Sequence, residues 1–326
     1  MNPPVSFVTV VFGAELGLLE LQARSLARHL ADSALSEVVV IDNDWRPLSR
    51  RALARLRAAY GPLADRLRVV RTGEIASSMP PTIGWRSQQI AKLLIARTIS
   101  TPHYVLLDAK NHLIRDAVLE DFVAPDGRAR GATHPYTAHP LRPQLDRALR
   151  YAGGTDAAIE AAHDDFLPTA TPFVMRTEIV RAMIDDIERA SGTPFAEEFE
   201  RQELTEFFLY GAWLTVRGLG VEAVYDGVPL PSPTVWPRQR HGVEGVDSTI
   251  SEAEAVDSAF FAVHRTALAR GDRRARARIA AFWSMREVFA DERAARRFIA
   301  AFRRRYFPAM LAKKLHERLE RRGVRG

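Results

Sequence analysis

Val5 to Phe12, VSFVTVVF, reads as a buried first strand, apolar except for Ser6 and Thr9, and from Glu15 to Leu30 the apolar positions switch to the spacing of an amphipathic helix. Val38 to Ile41 predicts a second strand that ends in Asp42, Asn43 and Asp44. Arg50 to Tyr60 predicts a helix, Leu67 to Val70 a third strand, Ser87 to Ile99 another helix, and Tyr104 to Leu107 the next strand. Strands and helices that alternate in this way specify a largely parallel sheet with helices on both faces, a three-layer α/β fold.

The middle third breaks the rhythm. ATHPYTAHP, FLPTATPF and YDGVPLPSPTVWPRQRHG are Pro-rich and loop-like, with predicted helices from Glu178 to Ala190 and Ala196 to Val216. Such mixed segments suit the second wall of a cleft. From about Glu252 the pattern reads helical to the end. Phe298, Phe302 and Tyr306 recur every fourth residue, as do Phe307, Leu311, Leu315 and Leu319, and Pro308 is placed to open a second helix between the two sets. The expected division is a domain over 1–251 and a basic helical extension over 252–326.

Composition narrows the chemistry. With 326 residues, 47% hydrophobic and 26% charged, the chain has the make-up of a globular protein with a sizeable core. It has no cysteine, which removes disulfides, thiolate catalysis and Cys-ligated metal centres. The first residues lack a basic signal-peptide start and no apolar run approaches membrane-spanning length, so the expected location is the cytoplasm. Of the net charge of +6, the stretch from Gly271 onward carries +11, which leaves −5 to the preceding residues. A body of that sign lacks the footprint of a nucleic-acid binder, and the tail alone invites an anionic partner such as the inner face of a membrane.

There is no Walker A loop, no G-x-G-x-x-G after the first strand, no G-x-S-x-G and no H-E-x-x-H. The candidate polar residues gather instead at strand ends. HYVLLDAKNHLI delivers Asp108, Lys110, Asn111 and His112 as a buried strand ends, where open α/β sheets bind ligands and where ordinary Asx turns also occur. Asp42 to Asp44 repeats that choice after the second strand. On the predicted helix of GWRSQQIAKLLIARTI, Gln88 and Lys92 are four apart and share a face, with Gln89 beside them. In ELTEFFLYGAWL, Glu206 and Tyr210 face the same way among aromatics, and partial burial there would raise a carboxylate's pKa toward that of a useful base. His264 and Arg265 follow an apolar run, as structural residues or as ligands.

Taken together, W85-x-x-Q88-Q89-x-x-K92-L93, the strand ending D108-A-K110-N111, the TPF of Thr171 to Phe173 and T205-E206-F-F-L-Y210-G211 resemble a bacterial family of GT-A-like glycosyltransferases, catalogued mainly as a domain of unknown function. The resemblance covers about Val5 to Arg265. It implies a GT-A-like fold and transfer of a sugar from a nucleoside diphosphate sugar to a saccharide or lipid-linked glycan, as in the making of cell-envelope polysaccharide. Phe12 and Asp42 would hold the nucleotide. Asp108, Lys110 and His264 would hold the diphosphate, Gln88, Gln89 and Lys92 the donor side, and Glu206 would be the base, with Tyr210 beside it. A manganese or magnesium ion would sit on Asp108, Asn111 and His264. The departure is Lys110, which stands where an Asp-x-Asp pattern has its second acid and whose fixed charge can do part of a metal's work. Two alternatives differ in class. One is a haloacid-dehalogenase-like phosphohydrolase with Asp42 as nucleophile and Asp44 as acid, although Trp45 follows where Thr or Val is usual. The other is a non-catalytic binding protein that docks through the basic tail.

Overall fold

The computed structural model describes residues 2–76, 84–217, 219–237 and 242–323, with side chains to His316. The first half alternates as the pattern predicts: β1 (Val5–Val11), α1 (Leu16–His29), β2 (Leu35–Asp42), α2 (Arg50–Tyr60), β3 (Leu67–Arg71), a short α3 (Thr72–Ile75), α4 (Trp85–Leu94) and β4 (His103–Asp108). The central sheet has the order β3-β2-β1-β4-β6, with β6 at Phe173–Arg176. Its first four strands are parallel, and β6 pairs antiparallel with β4. The chain moves from β1 to β2 and β3 on one side, then crosses to β4 on the other side of β1. Right-handed crossovers in opposite directions put their helices on opposite faces, which gives the three layers. A β1 buried along its whole length is mostly apolar on both faces for this reason.

The remaining elements are β5 (Asn111–Leu113), α5 (Arg142–Ala152), α6 (Asp156–Asp164), α7 (Thr177–Ser191), α8 (Phe195–Arg201), α9 (Glu206–Val216), β7 (Thr234–Val235), α10 (Val243–Ala255), β8 (Phe260–Val263), α11 (Arg265–Arg270), α12 (Arg273–Met285) and α13 (Glu292–Gly323). A small second sheet runs β5-β8-β7. Three local expectations are corrected. The helix expected over Ala196–Val216 is two helices, because Glu203 takes a left-handed conformation with φ 50° and the chain restarts at Thr205. FFAV in the supposedly all-helical tail is β8, paired with β5 and β7, and the boundary at 251/252 falls inside α10. Pro308 opens no new helix but lies inside the 32-residue α13.

The basic tail packs on the body. Phe302 and Tyr306 are buried, Arg305 clamps Glu20 of α1 with bonds of 2.7 and 2.9 Å, and Arg303 donates to the Ala269 carbonyl at 2.9 Å. This part of the basic tail, expected as a whole to meet an anionic partner, is therefore tied to the body. Phe307, Leu311 and Leu315 do face outward, with Arg304 and Lys314 exposed among them, and Leu319 lies outside the described side chains. Among the described residues no helix is long and apolar enough to cross a membrane.

The docking of α13 depends on Gly17. A Cβ there would sit 2.5 Å from the Phe302 ring, itself 1% exposed. Gly17→Ala gains about 1 kcal/mol of helix propensity but forces overpacking that costs about 1–3 kcal/mol. The variant is expected to lose stability in urea denaturation. A gain of the size that propensity alone dictates would show that Phe302 is not seated against α1.

Candidate active site

The strand order reverses between β1 and β4, so the crevice at their C-terminal ends is where an open α/β sheet takes its ligand. A cleft of about 960 Å³ opens there. One side is the sheet edge with α4 and the start of α9. The other is built from the Pro-rich loops, including Thr133, His134, Thr169 and Pro231. Residues 238–241 of the third such stretch lie outside the described residues.

Gln22 of α1 ties the two strand ends together. Its Oε1 accepts from Thr9 Oγ1 of β1 at 2.8 Å, and its Nε2 donates to the carbonyls of Asp108 and Asn111 at 2.8 and 3.0 Å. The signal was present, since Leu18, Gln22 and Ser25 lie at buried helical spacing where apolar residues are the norm.

Asp108 leaves β4 into this frame. Lys92 Nζ lies 3.2 Å from Asp108 Oδ1 and 3.2 Å from Glu206 Oε1, and Lys110 donates to Asp108 Oδ2. One buried ammonium thus joins α4, β4 and α9. Burial works against the charge on Lys92, but Asp108 and Glu206 override it and hold the lysine above its usual pKa. Burial would raise Asp108, yet Lys110 and Lys92 hold it well below the ordinary carboxylate range. Glu206 goes the other way, raised by burial that Lys92 offsets only in part. Two carboxylates on one lysine are in this way displaced in opposite directions, Asp108 downward and Glu206 upward.

Gln88 and Gln89 also line the cleft, and Gln89 Oε1 accepts from the Glu206 N–H at 3.3 Å. His264 lines it too, but as the N-cap of α11 its Nδ1 accepts from the Thr266 N–H at 3.2 Å. Burial first, then Arg265 and Lys110, lower its pKa to about 4, so it is a neutral ring at pH 7. The neighbouring Arg265 pairs with Glu15 and lies over the Phe12 ring, 5.3 Å from its centroid.

Four expected site residues are placed elsewhere or used up. Phe12 is buried beneath Arg265 and Lys313, whose ammonium is 3.9 Å from the ring centroid. Asp42 accepts from the N–H groups of Leu48 (2.9 Å) and Asp44 (3.3 Å), closing its own turn with 2% exposure. Tyr210 is core, its hydroxyl accepting from the Arg176 N–H at 3.3 Å and its pKa pushed up by burial to about 12. Asn111 is fully buried: its oxygen accepts from the Asp108 N–H and Thr171 Oγ1, and its amide donates to Thr171 O and Ser232 Oγ.

A divalent cation does not fit this donor set. Asp108 is already neutralised by two ammonium groups, the Asn111 oxygen is taken by two donors, and one His264 nitrogen caps a helix. Among the described residues no group of three or more His, Asp or Glu side chains is arranged around a common point for a metal.

A family described as "Family of unknown function (DUF6492)" matches residues 12–228. No curated protein matches the chain by sequence. Among solved structures, the bifunctional glycosyltransferase WbbM in its apo form is similar at 10% identity and TM-score 0.42, over 80% of this chain and 46% of its own. The present chain thus spans about half the length of WbbM. An active-site mutant of LgtC is similar at 12% identity and TM-score 0.43, over 79% of this chain and 87% of LgtC. A third, at 16% identity and TM-score 0.33, is glucosyl-3-phosphoglycerate synthase from Mycobacterium tuberculosis with Mn2+, uridine diphosphate and glucosyl-3-phosphoglycerate, over 57% of this chain and 66% of that one. At these scores the likenesses assign no chemistry to this chain.

Replacing Lys92 by alanine leaves the Asp108 and Glu206 carboxylates without their shared cation. Breaking a buried pair from one side costs about 3–5 kcal/mol, and the part-exposed Asp108 puts this case near the lower bound. The loss shrinks as pH falls. Lys92 lowers the Glu206 pKa that burial raises, so without Lys92 it is raised further, and taking up a proton as pH falls relieves the folded variant more than the folded wild type. Urea denaturation at about pH 8 and about pH 5 checks the sign. Equal losses at both would mean that Glu206 does not feel Lys92.

Proposed function

The chain belongs to this family of unknown function, and from the chemistry of its cleft we propose that it transfers a glycosyl group from a nucleoside diphosphate sugar to a hydroxyl of a saccharide or lipid-linked glycan. The carrying observation is the Lys92 cluster: two ammonium groups on Asp108 at the β1/β4 crevice, with a buried Glu206, raised in pKa, on the far side of Lys92. In the reaction the bond from the anomeric carbon to the diphosphate breaks and its electrons leave with the diphosphate oxygen. The acceptor oxygen bonds that carbon, and its proton passes to Glu206. Lys110 and Lys92 supply the positive charge that meets the departing diphosphate, with Gln88 on the donor side. The GT-A-like pattern of W85-x-x-Q88-Q89-x-x-K92 and D108-A-K110-N111 supports the same reading.

The phosphohydrolase alternative has little left to act with. Asp42 is enclosed in its turn, and Asp44 accepts from the N–H groups of Gly13 (2.5 Å) and Trp45 (2.8 Å). A lipid-linked acceptor enters the proposal only through the outward stripe of Phe307, Leu311 and Leu315 with its exposed basic neighbours.

Two predictions follow from the roles given to Glu206 and Lys110. Release of nucleoside diphosphate from uridine and guanosine diphosphate sugars, with saccharide acceptors present, is expected to fall about 10²–10⁴-fold in Glu206→Gln while nucleotide binding persists. Because only ionised Glu206 can accept the proton, the wild-type rate should drop as pH falls through a value above the ordinary 4.5. Turnover of Glu206→Gln at the wild-type rate would remove the base, and nucleotide binding without turnover in the wild type would favour a binding protein. Lys110→Asp removes the fixed cation and restores an acidic pair, so its activity should become manganese-dependent. An unchanged response to manganese would mean that Lys110 does not meet the diphosphate.

A further inference from the structure

The start of α9 breaks a local rule. Threonine at an N-cap ordinarily accepts a hydrogen bond from the N–H two or three residues on. Thr205 occupies that position and makes no such bond, and its buried Oγ1 has no partner. Across from it, Gln89 is 1% exposed. Its Oε1 must face the Glu206 N–H, since only the oxygen of the amide can accept. That orientation leaves Nε2, a donor, buried and without a partner. Buried donors are almost always satisfied in folded proteins, and these two unpartnered atoms belong to residues that line one cleft, so they lie just beneath its surface, where a small side-chain rotation lets a ligand satisfy them.

The same helix face carries an unusual apolar group. Trp85 opens α4, lines the cleft and is 62% exposed. Gln89 follows four residues later on the same face, about 6 Å further along the helix. That spacing matches the width of a six-membered sugar ring, which offers an apolar C–H face for an indole and hydroxyls at its edge. Glu206, next to Thr205 in the chain and bonded to Gln89 through its N–H, disfavours an anionic group there and favours a neutral hydroxyl, which can accept from one side and donate to the other.

We propose that the N-terminus of α9 is the acceptor subsite, taking a pyranose whose ring stacks on Trp85 and whose hydroxyl accepts from Gln89 Nε2 or Thr205 Oγ1 and donates to Glu206. This rests on the transferase reading, deepens it by naming the acceptor class, and moves Gln89 from the donor side to the acceptor side. The oriented hydroxyl is the nucleophile of the transfer step, so Gln89 and Thr205 act as positioning residues for Glu206.

The test is equilibrium binding of the methyl pyranosides of glucose, galactose and mannose to the full chain, followed by tryptophan fluorescence and by thermal shift, alone and with uridine or guanosine diphosphate. At least one pyranoside is expected to bind, and Thr205→Val and Trp85→Ala are each expected to weaken it tenfold or more. Thr205→Val removes a polar atom that has no partner, so its melting temperature should not fall, which separates recognition from a structural role. Nucleoside diphosphate binding should be unaltered in both variants. Pyranoside binding that ignores both substitutions, or no pyranoside binding by protein that still binds a nucleoside diphosphate, would overturn the subsite. Pyranoside binding that depends on Thr205 and Trp85, in protein that binds no nucleoside diphosphate, would sustain the subsite and sink the donor half of the transferase reading.

Discussion

A single buried ammonium organises the cleft. Lys92 brings together β4, through Asp108, and α9, through Glu206, two elements almost a hundred residues apart. An ammonium with 9% side-chain exposure is sustained only by anions in direct contact, and a carboxylate as buried as Glu206 is sustained only by that ammonium. The positions of α4, β4 and α9 are therefore mutually dependent, and the opposite pKa displacements of Asp108 and Glu206 follow from that dependence. Around it, Lys110 and Arg265 face Asp108 and Glu15, so three cations meet three carboxylates at the sheet edge. An arriving diphosphate would draw on cations that are already in place.

The tail illustrates how net charge can mislead about exposure. Its surplus of +11 suggests a surface looking for an anion, yet Glu20 of α1 receives both Arg55 and Arg305, and Phe302 fills the space left by the missing side chain of Gly17. Further along, Lys313 covers Phe12, and His316 stacks on Trp45 at a ring separation of 4.5 Å. The extension thus closes over the turns that follow β1 and β2. That is the physical reason why Phe12, placed by strand position at a nucleotide edge, is not on the open cleft, which lies toward β4, while Asp42 is closed off by its own turn.

The elements that were legible along the chain are those whose signal is local. Apolar runs and helical spacing are consequences of burial on one or two faces, so β1 to β4, α1, α2 and α7 could be read within a few residues of where they lie. The acid at the end of β4, the face shared by Gln88 and Lys92, and Glu206 among aromatics were visible for the same reason. The break at Glu203 was not, because a left-handed residue other than glycine leaves no compositional mark. Nor was β8, since FFAV suits a buried strand and a buried helix equally, and only its pairing with β5 and β7 decides between them.

What the sequence by itself determined was the α/β layering and a short roster of polar residues at strand ends and on helix faces. Which of those residues work together was decided by tertiary structure alone. Asp42 spends its hydrogen bonds on its own turn, Asn111 spends most of its own on Thr171 and Ser232, Tyr210 is sealed in the core, and Gln22, absent from any motif, holds the frame. The unpartnered buried atoms of Gln89 and Thr205 could be recognised only with every neighbour in place. The reason is that hydrogen-bond satisfaction and the pKa of a buried group are properties of the whole surrounding shell, drawn from segments far apart in the chain, whereas periodicity is a property of one segment.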